Sequence, residues 1–199
     1  KIKNCEISPD GKECYYKMQL YPLKFKPVYK EKIWGGQKIK NYFNRNLPHD
    51  KDIGESWEAA AHPHGVSEIK NGPLQGKKLN ELIDENYQEI MGKINLKTKR
   101  TFPLLVKLLD ASQKLSVQVH PDNKYAQAIE GEPGKTEMWY IIEAKPEAKL
   151  VYGLKPGTTR EKIKKAVKQG NLEKYFNEIK VKAGEVYFIP AGTLHTIEG

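Results

Sequence analysis

The sequence predicts a mainly β domain with accessory helices. Short runs in which apolar and polar residues alternate recur along the chain, as in strands with one face buried. Those runs are punctuated by 16 glycines and 12 prolines in 199 residues, the residue types that make turns. Helical spacing is confined to a few stretches, chiefly residues 79–92, 122–130 and 158–170. No repeat, low-complexity tract or linker divides the chain. Residues 1–19 are read as an N-terminal extension and residues 20–199 as one domain, long enough for a single packed core.

Taken in order, residues 1–19 are mostly polar and read as an extension or an edge hairpin. Leu23 and Phe25 alternate with Lys24 and Lys26, a strand that Pro22 and Pro27 confine to an edge or a strand start. Gly35-Gly36 reads as a turn, followed by loop or a short helix over residues 38–43. Glu55, Trp57 and Ala59 alternate with Ser56, Glu58 and Ala60, another strand. His62-Pro63-His64 looks like a metal pair, but Gly65 follows and a surface turn is the better reading. Leu79, Leu82, Ile83, Tyr87, Ile90 and Met91 form one amphipathic helix that packs on a core, ended by Gly92. The run 102–109 is almost wholly apolar and predicts a strand buried on both faces; Lys107 inside it either snorkels to water or meets an anion. Residues 115–120 alternate as a further strand. Asp122 caps a helix over residues 123–129, and residues 137–143 and 149–152 are read as a hairpin about Pro146. Thr158-Thr159-Arg160-Glu161 is a capping sequence for a helix stopped by Gly170. Residues 178–181 and 185–189 close the pattern as strands.

Composition narrows the function classes. The formal charge is +9, yet the lysines are dispersed and the arginines are only Arg45, Arg100 and Arg160. Nothing resembles a nucleic-acid footprint, so no nucleic-acid partner is expected and the charge favours an anionic metabolite. No apolar run reaches the roughly 18 residues of a membrane span, so no membrane partner is expected. With no secretory core near the start, a cytoplasmic location is expected. Cys5 and Cys14 form no Cys-x-x-Cys pair and read as idle reduced thiols. The chain begins at Lys1 rather than at Met, which leads us to expect sequence upstream.

The chemistry gathers in three of the predicted strands. Gln118 and His120 share the face of their strand opposite Leu115, Val117 and Val119; Glu137 and His195 stand on two others. An amide oxygen, a carboxylate and two imidazoles make a mixed nitrogen–oxygen site for a divalent transition metal, zinc by default. Taken singly each of these residues has a bland reading: His195 and Glu137 as satisfied structural groups, Gln118 and His120 as polar lining.

The last strand reads Gly184-x5-Pro190-x-Gly192-x2-His195-x3-Gly199, which resembles the second cupin motif except that Gly199 stands where that motif has Asn. The resemblance implies a cupin β jelly-roll with the histidine directed into the barrel mouth. Together with residues 115–122, 134–140, 25–36 and 54–63, this order of motifs resembles the type I mannose-6-phosphate isomerases (phosphomannose isomerases), in their short bacterial form. For this chain the resemblance implies one zinc ion, held by Gln118, His120, Glu137 and His195. It implies interconversion of mannose 6-phosphate and fructose 6-phosphate through an enediol. It assigns catalytic roles to Lys135 and Glu55 and substrate contacts to Ser116 and Lys107. The family has a catalytic arginine C-terminal to the cupin histidine, and the sequence ends before that position, so the roll is expected to be incomplete at its C-terminus. A non-catalytic metal-binding cupin that holds a sugar or sugar phosphate is the competing expectation.

Overall fold

A computed structural model describes residues 5–7, 14–16, 21–92 and 102–198. Its strands are β1 (Cys5–Ile7), β2 (Cys14–Tyr16), β3 (Phe25–Lys26), β4 (Val28–Gly36), β5 (Ile53–Ala59), β6 (Ala61–His62), β7 (Gly65–Val66), β8 (Glu68–Ile69), β9 (Val106–Leu109), β10 (Glu137–Tyr140), β11 (Lys149–Leu154), β12 (Phe176–Lys180), β13 (Val186–Ile189) and β14 (His195–Ile197). Short α-helices join them: α1 (Lys38–Tyr42), α2 (Leu79–Glu85), α3 (Tyr87–Met91), α4 (Asn123–Ile129) and α5 (Arg160–Gln169). The architecture is mainly β with accessory helices. β1 and β2 pair antiparallel with each other; the side chains of Cys5 and Cys14 lie outside the described part. Among the described residues, no helix is long and apolar enough to cross a membrane.

Two antiparallel three-stranded sheets, β4–β5–β9 and β12–β11–β14, and the pair β10–β13 position the site. Gly35 and Gly36 belong to β4 and are not the turn that the Gly-Gly pair predicts. A Cβ on Gly35 would lie 2.5 Å from the Gly54 nitrogen, so the close approach of two backbones is what excludes a side chain there. Ile53 packs with Ile39 of α1 and Leu47 in one core cluster. Leu79, Ile83 and Met91 form a second, with Phe25 and Phe102 packed against it. Leu150, Val151, Phe176 and Ile189 are buried between the remaining strands.

Several local expectations are corrected. The single helix predicted over residues 79–92 breaks into α2 and α3 at Asn86, whose side-chain amide donates to the Leu82 carbonyl and competes with the helical ladder. The run 102–109 yields only the four residues of β9, and Leu104, Val106 and Leu109 are exposed. Apolar content reports what a segment tolerates as cover, and these side chains stay uncovered among the described residues. β10 pairs with β13, and β11 pairs with β12 and β14, so residues 137–143 and 149–152 do not form the expected hairpin. Residues 115–120 form no named strand; they meet β14 through Gln118, which exchanges two backbone bonds with His195, and through the Leu115 N–H, which donates to the Ile197 carbonyl at 3.0 Å.

The caps read from sequence are present. The Thr159 hydroxyl accepts from the Lys162 N–H, and Gly170 ends α5 in the left-handed conformation. The Asp122 carboxylate accepts from the Tyr125 N–H at 2.8 Å and starts α4 directly after His120-Pro121. Replacing Asp122 by alanine is expected to cost about 1 kcal/mol, read as a lowered midpoint of thermal unfolding with the metal content unchanged.

Candidate metal centre

The strand pairings bring the predicted ligands together from distant parts of the chain. Gly192, at φ 84°, takes a backbone conformation that favours glycine, and its N–H donates to the His120 carbonyl at 2.7 Å. The turn Pro190–Thr193 is thereby pinned against the His120 segment, and β14 follows it with His195 first. The reciprocal Gln118–His195 backbone bonds, both 2.9 Å, set those two residues opposite each other, and opposite residues of an antiparallel pair share a face. On the other flank, the Lys135 N–H donates to the Pro121 carbonyl at 3.0 Å and the Gly134 N–H to Asn123 Oδ1 at 2.9 Å. These two bonds lay Lys135 and Glu137 alongside His120.

The result is a compact triad. His120 Nε2 lies 3.5 Å from Glu137 Oε1, and His195 Nε2 lies 3.4 Å from Glu137 Oε2. One ligand atom from each residue falls within 4.8 Å of the other two. The His195 ring is 2% exposed. Its Nδ1 stands 2.8 Å from the Thr193 carbonyl, so Nδ1 carries the proton and Nε2 presents a lone pair. That Nε2 is buried and makes no hydrogen bond. A buried acceptor without a donor is costly, and a divalent cation satisfies it directly. The backing carbonyl on the far nitrogen is the usual arrangement for a metal-bound histidine. The donor set could therefore hold a metal ion, and three of the four residues expected from the sequence to be ligands come together in it.

The fourth, Gln118, is beside them by strand pairing, with its amide nitrogen 3.4 Å from Ser116 Oγ. Lys135 caps the triad: its Nζ is 2.7 Å from Glu137 Oε1 and 3.1 Å from His120 Nε2. Burial would raise the Glu137 carboxyl, but the Lys135 ammonium bonded to it outweighs that and holds it below the usual carboxylate range. It is thus an anion throughout the neutral range. The His120 ring is held below the usual imidazole range by burial and then by the Lys135 charge, which keeps it in the neutral form that ligates metals.

Glu55 and Lys107 stand apart from the triad, on the sheet β4–β5–β9. Lys107 Nζ is 3.2 Å from Glu55 Oε2. Trp57 Nε1 donates to the same oxygen at 2.6 Å, and Lys32 approaches the other at 4.0 Å. Lys107 therefore meets an anion within its apolar run, one of the two outcomes open from sequence. The Glu55 carboxylate is engaged on both oxygens and holds Lys107 in place. Lys107 in turn is close enough for its charge to act on the His120 ring.

One residue that sequence reading sets aside belongs to these surroundings. His62, expected in a surface turn, is partly buried at the end of the hairpin β6–β7, its ring edge-on to Trp57 with centroids 5.6 Å apart. The signal available was the tight Pro63–Gly65 turn placed directly after the strand bearing Glu55 and Trp57, which folds the imidazole back over that strand.

Gly134 tests how closely this region is built. A Cβ there would lie 2.3 Å from the Asp122 carbonyl carbon and 2.4 Å from the Asn123 nitrogen. Neither backbone atom can step aside, so Gly134→Ala is expected to destabilise the fold by about 1–3 kcal/mol. It is also expected to weaken zinc binding, because Lys135 and Glu137 move with the displaced backbone. Paired thermal melts and metal titrations check both effects.

Comparison with known proteins places these features in a family context. The sequence profile described as "Phosphomannose isomerase type I, catalytic domain" matches residues 22–150. A probable mannose-6-phosphate isomerase of Bacillus subtilis is 44% identical over 178 residues, which are 89% of this chain and 55% of that protein. The mannose-6-phosphate isomerase of Streptococcus mutans is 43% identical over 88% of this chain and 54% of its own length. The crystal structure of mannose 6-phosphate isomerase from Bacillus subtilis superimposes with a TM-score of 0.81 at 41% identity, covering 88% of this chain and 55% of that one. The chain thus spans about half the length of the curated relatives it matches.

Proposed function

Because this chain belongs to the type I phosphomannose isomerases, we propose that it carries the metal centre of a zinc-dependent aldose–ketose isomerase acting on mannose 6-phosphate and fructose 6-phosphate. The observation that carries the reading is the convergence of His120, Glu137 and His195, with the buried His195 Nε2 left as an unpaired acceptor. One zinc ion per chain, with Gln118 as the fourth ligand, completes the proposed site. Bound there, zinc would act as a Lewis acid that polarises the sugar oxygens on C1 and C2.

The chain's own groups supply the rest of the proposed mechanism. The exchange moves a proton between C2 and C1 through an enediol and needs a positioned base. Lys135 Nζ, at the open edge of the triad, is the proposed base. It takes the proton from C2 of the aldose and returns it to C1, while the C2 hydroxyl gives up its proton and the C1 oxygen gains one, so the ketose forms and the amine ends each cycle as it began. A lysine acts as a base only as the free amine. Ser116 is assigned to a sugar hydroxyl. Glu55, by holding Lys107, orients a cation toward the anionic substrate. No nucleic-acid or membrane partner enters this reading, and the location is cytoplasmic.

The test is conversion of mannose 6-phosphate by the natural polypeptide that carries this sequence. Chelation is expected to abolish turnover and stoichiometric zinc to restore it. Turnover that persists after exhaustive metal removal overturns the proposal. Tight binding of the sugar phosphate with no turnover selects the non-catalytic cupin instead.

A further inference from the structure

The face of the sheet β4–β5–β9 that bears Glu55 and Lys107 carries more positive charge than it neutralises. Trp57 lies on the central strand β5, directly opposite Lys107 on β9, while Lys30 on β4 is opposite Glu55. Opposite and alternate residues share a face, so these side chains stand together. Lys30 Nζ is 4.9 Å from the centre of the Trp57 ring, and Lys107 Nζ is 5.1 Å from it. The single carboxylate there, Glu55, is matched to Lys107 and approached by Lys32. Lys30 has no carboxylate partner among the described residues. It donates instead to the His64 carbonyl at 2.6 Å, and it is partly buried. A partly buried ammonium held only by a carbonyl is short of an anion.

The hairpin β6–β7 adds a neutral donor. The His64 N–H donates to His62 Nδ1 at 3.2 Å. In the neutral ring the proton is therefore on Nε2, which meets no partner among the described residues. Burial, the adjoining His64 and the charges of Lys107 and Lys135 keep the ring below the usual imidazole range, against a smaller opposing pull from Glu132. Gly65 makes this placement sterically possible. A Cβ there would lie 3.0 Å from the Trp57 ring, tighter than an ordinary contact, so a larger residue would require the ring to yield. The same two lysines, Lys107 and Lys135, act electrostatically on both His62 and His120, so the cluster and the triad lie within electrostatic reach of each other.

We propose that Lys30, His62 and Lys107, gathered around the Trp57 indole, form the subsite for the phosphate group of the sugar substrate. The inference rests on the isomerase reading for the identity of the ligand, and it adds Lys30 and His62 to residues that the family resemblance already sets near the substrate. Two ammonium groups and one imidazole N–H offer donors to a phosphate dianion, with the Lys30 charge unmatched and the Lys107 charge shared with Glu55. Trp57 fixes their spacing, and Glu55 keeps Lys107 directed into the cluster.

The test uses the zinc-loaded natural protein, with Lys30→Met, His62→Ala, His62→Gln and the Lys30→Met/His62→Ala double variant. Mannose 6-phosphate affinity is expected to fall about tenfold in each of Lys30→Met and His62→Ala, the scale of one lost charge-assisted hydrogen bond. It should fall further in the double variant and recover in His62→Gln, whose amide still donates. KM should rise in parallel while kcat and zinc content hold, a split that general structural damage does not produce. Unchanged affinity and KM in the double variant overturn the subsite. A wild-type protein that binds zinc but neither binds nor turns over mannose 6-phosphate removes the isomerase reading alone. Inorganic phosphate then decides the subsite: binding that is lost in the double variant upholds it, and equal or undetectable binding in both proteins overturns it.

Discussion

Replacing His195 by alanine is expected to abolish any stabilisation of the protein by zinc. In the wild type, a ligand that binds only the folded chain at about 100 times its dissociation constant contributes about 2.7 kcal/mol. For a domain of this size that corresponds to a rise of about 5–11 °C in the midpoint of thermal unfolding. The rise depends on the imidazole, because His195 Nε2 is the buried acceptor with no other partner and Thr193 fixes its direction through Nδ1. In His195→Ala the remaining pair, His120 and Glu137, keep a mixed nitrogen–oxygen edge but no longer enclose an ion. Affinity should drop by at least the roughly 100-fold seen when only a supporting group is lost. The variant should therefore melt at the same temperature with and without zinc. A zinc-induced shift equal to that of the wild type would falsify the metal assignment.

Lys135→Met should separate chemistry from metal binding. Loss of a positioned general base lowers turnover by about 10²–10⁴-fold, so this variant of the natural polypeptide should be nearly inactive toward mannose 6-phosphate. Its zinc affinity should equal or exceed that of the wild type. The ammonium lies 2.7 Å from Glu137 Oε1 and 3.1 Å from His120 Nε2, within reach of two of the groups a cation needs, and it competes with that cation by charge. Removing the amine removes the competitor while leaving the backbone bond from Lys135 to Pro121 intact. Inactivity accompanied by zinc loss would make Lys135 a structural group, and full activity would end its assignment as base.

The two outcomes rest on different kinds of legibility. The three residues of the triad could be singled out in the sequence because each sits at a marked position: His120 before Pro121 and the capping Asp122, Glu137 at the head of an alternating run, His195 after the Pro-x-Gly turn. Caps and turns are local chemistry, and the structure keeps Asp122, Thr159 and Gly170 in their expected parts. His62 was not readable in the same way. Its role depends on a hairpin that folds back over Trp57, and no window of sequence contains both the ring it touches and the lysines that act on it.

Strand partners were the other loss. Residues 137–140 were assigned to a neighbour close in sequence, yet they pair with β13, close to fifty residues on. Apolar alternation marks which residues face a core and says nothing of which strand supplies the next edge. Run 102–109 failed for a related reason, since an apolar strand looks the same with a covering layer or without one.

The sequence by itself determined the mainly β class, the helix ends and the residue types able to hold a metal, because periodicity, capping and donor chemistry act within a few residues. Only the tertiary structure decided that His120, Glu137 and His195 meet, that Lys135 lies across them, and that His62 joins Lys30 and Lys107 beside Trp57. Those placements come from backbone pairing between segments far apart in the chain, where packing and the closing of long loops, rather than local preference, select the partner.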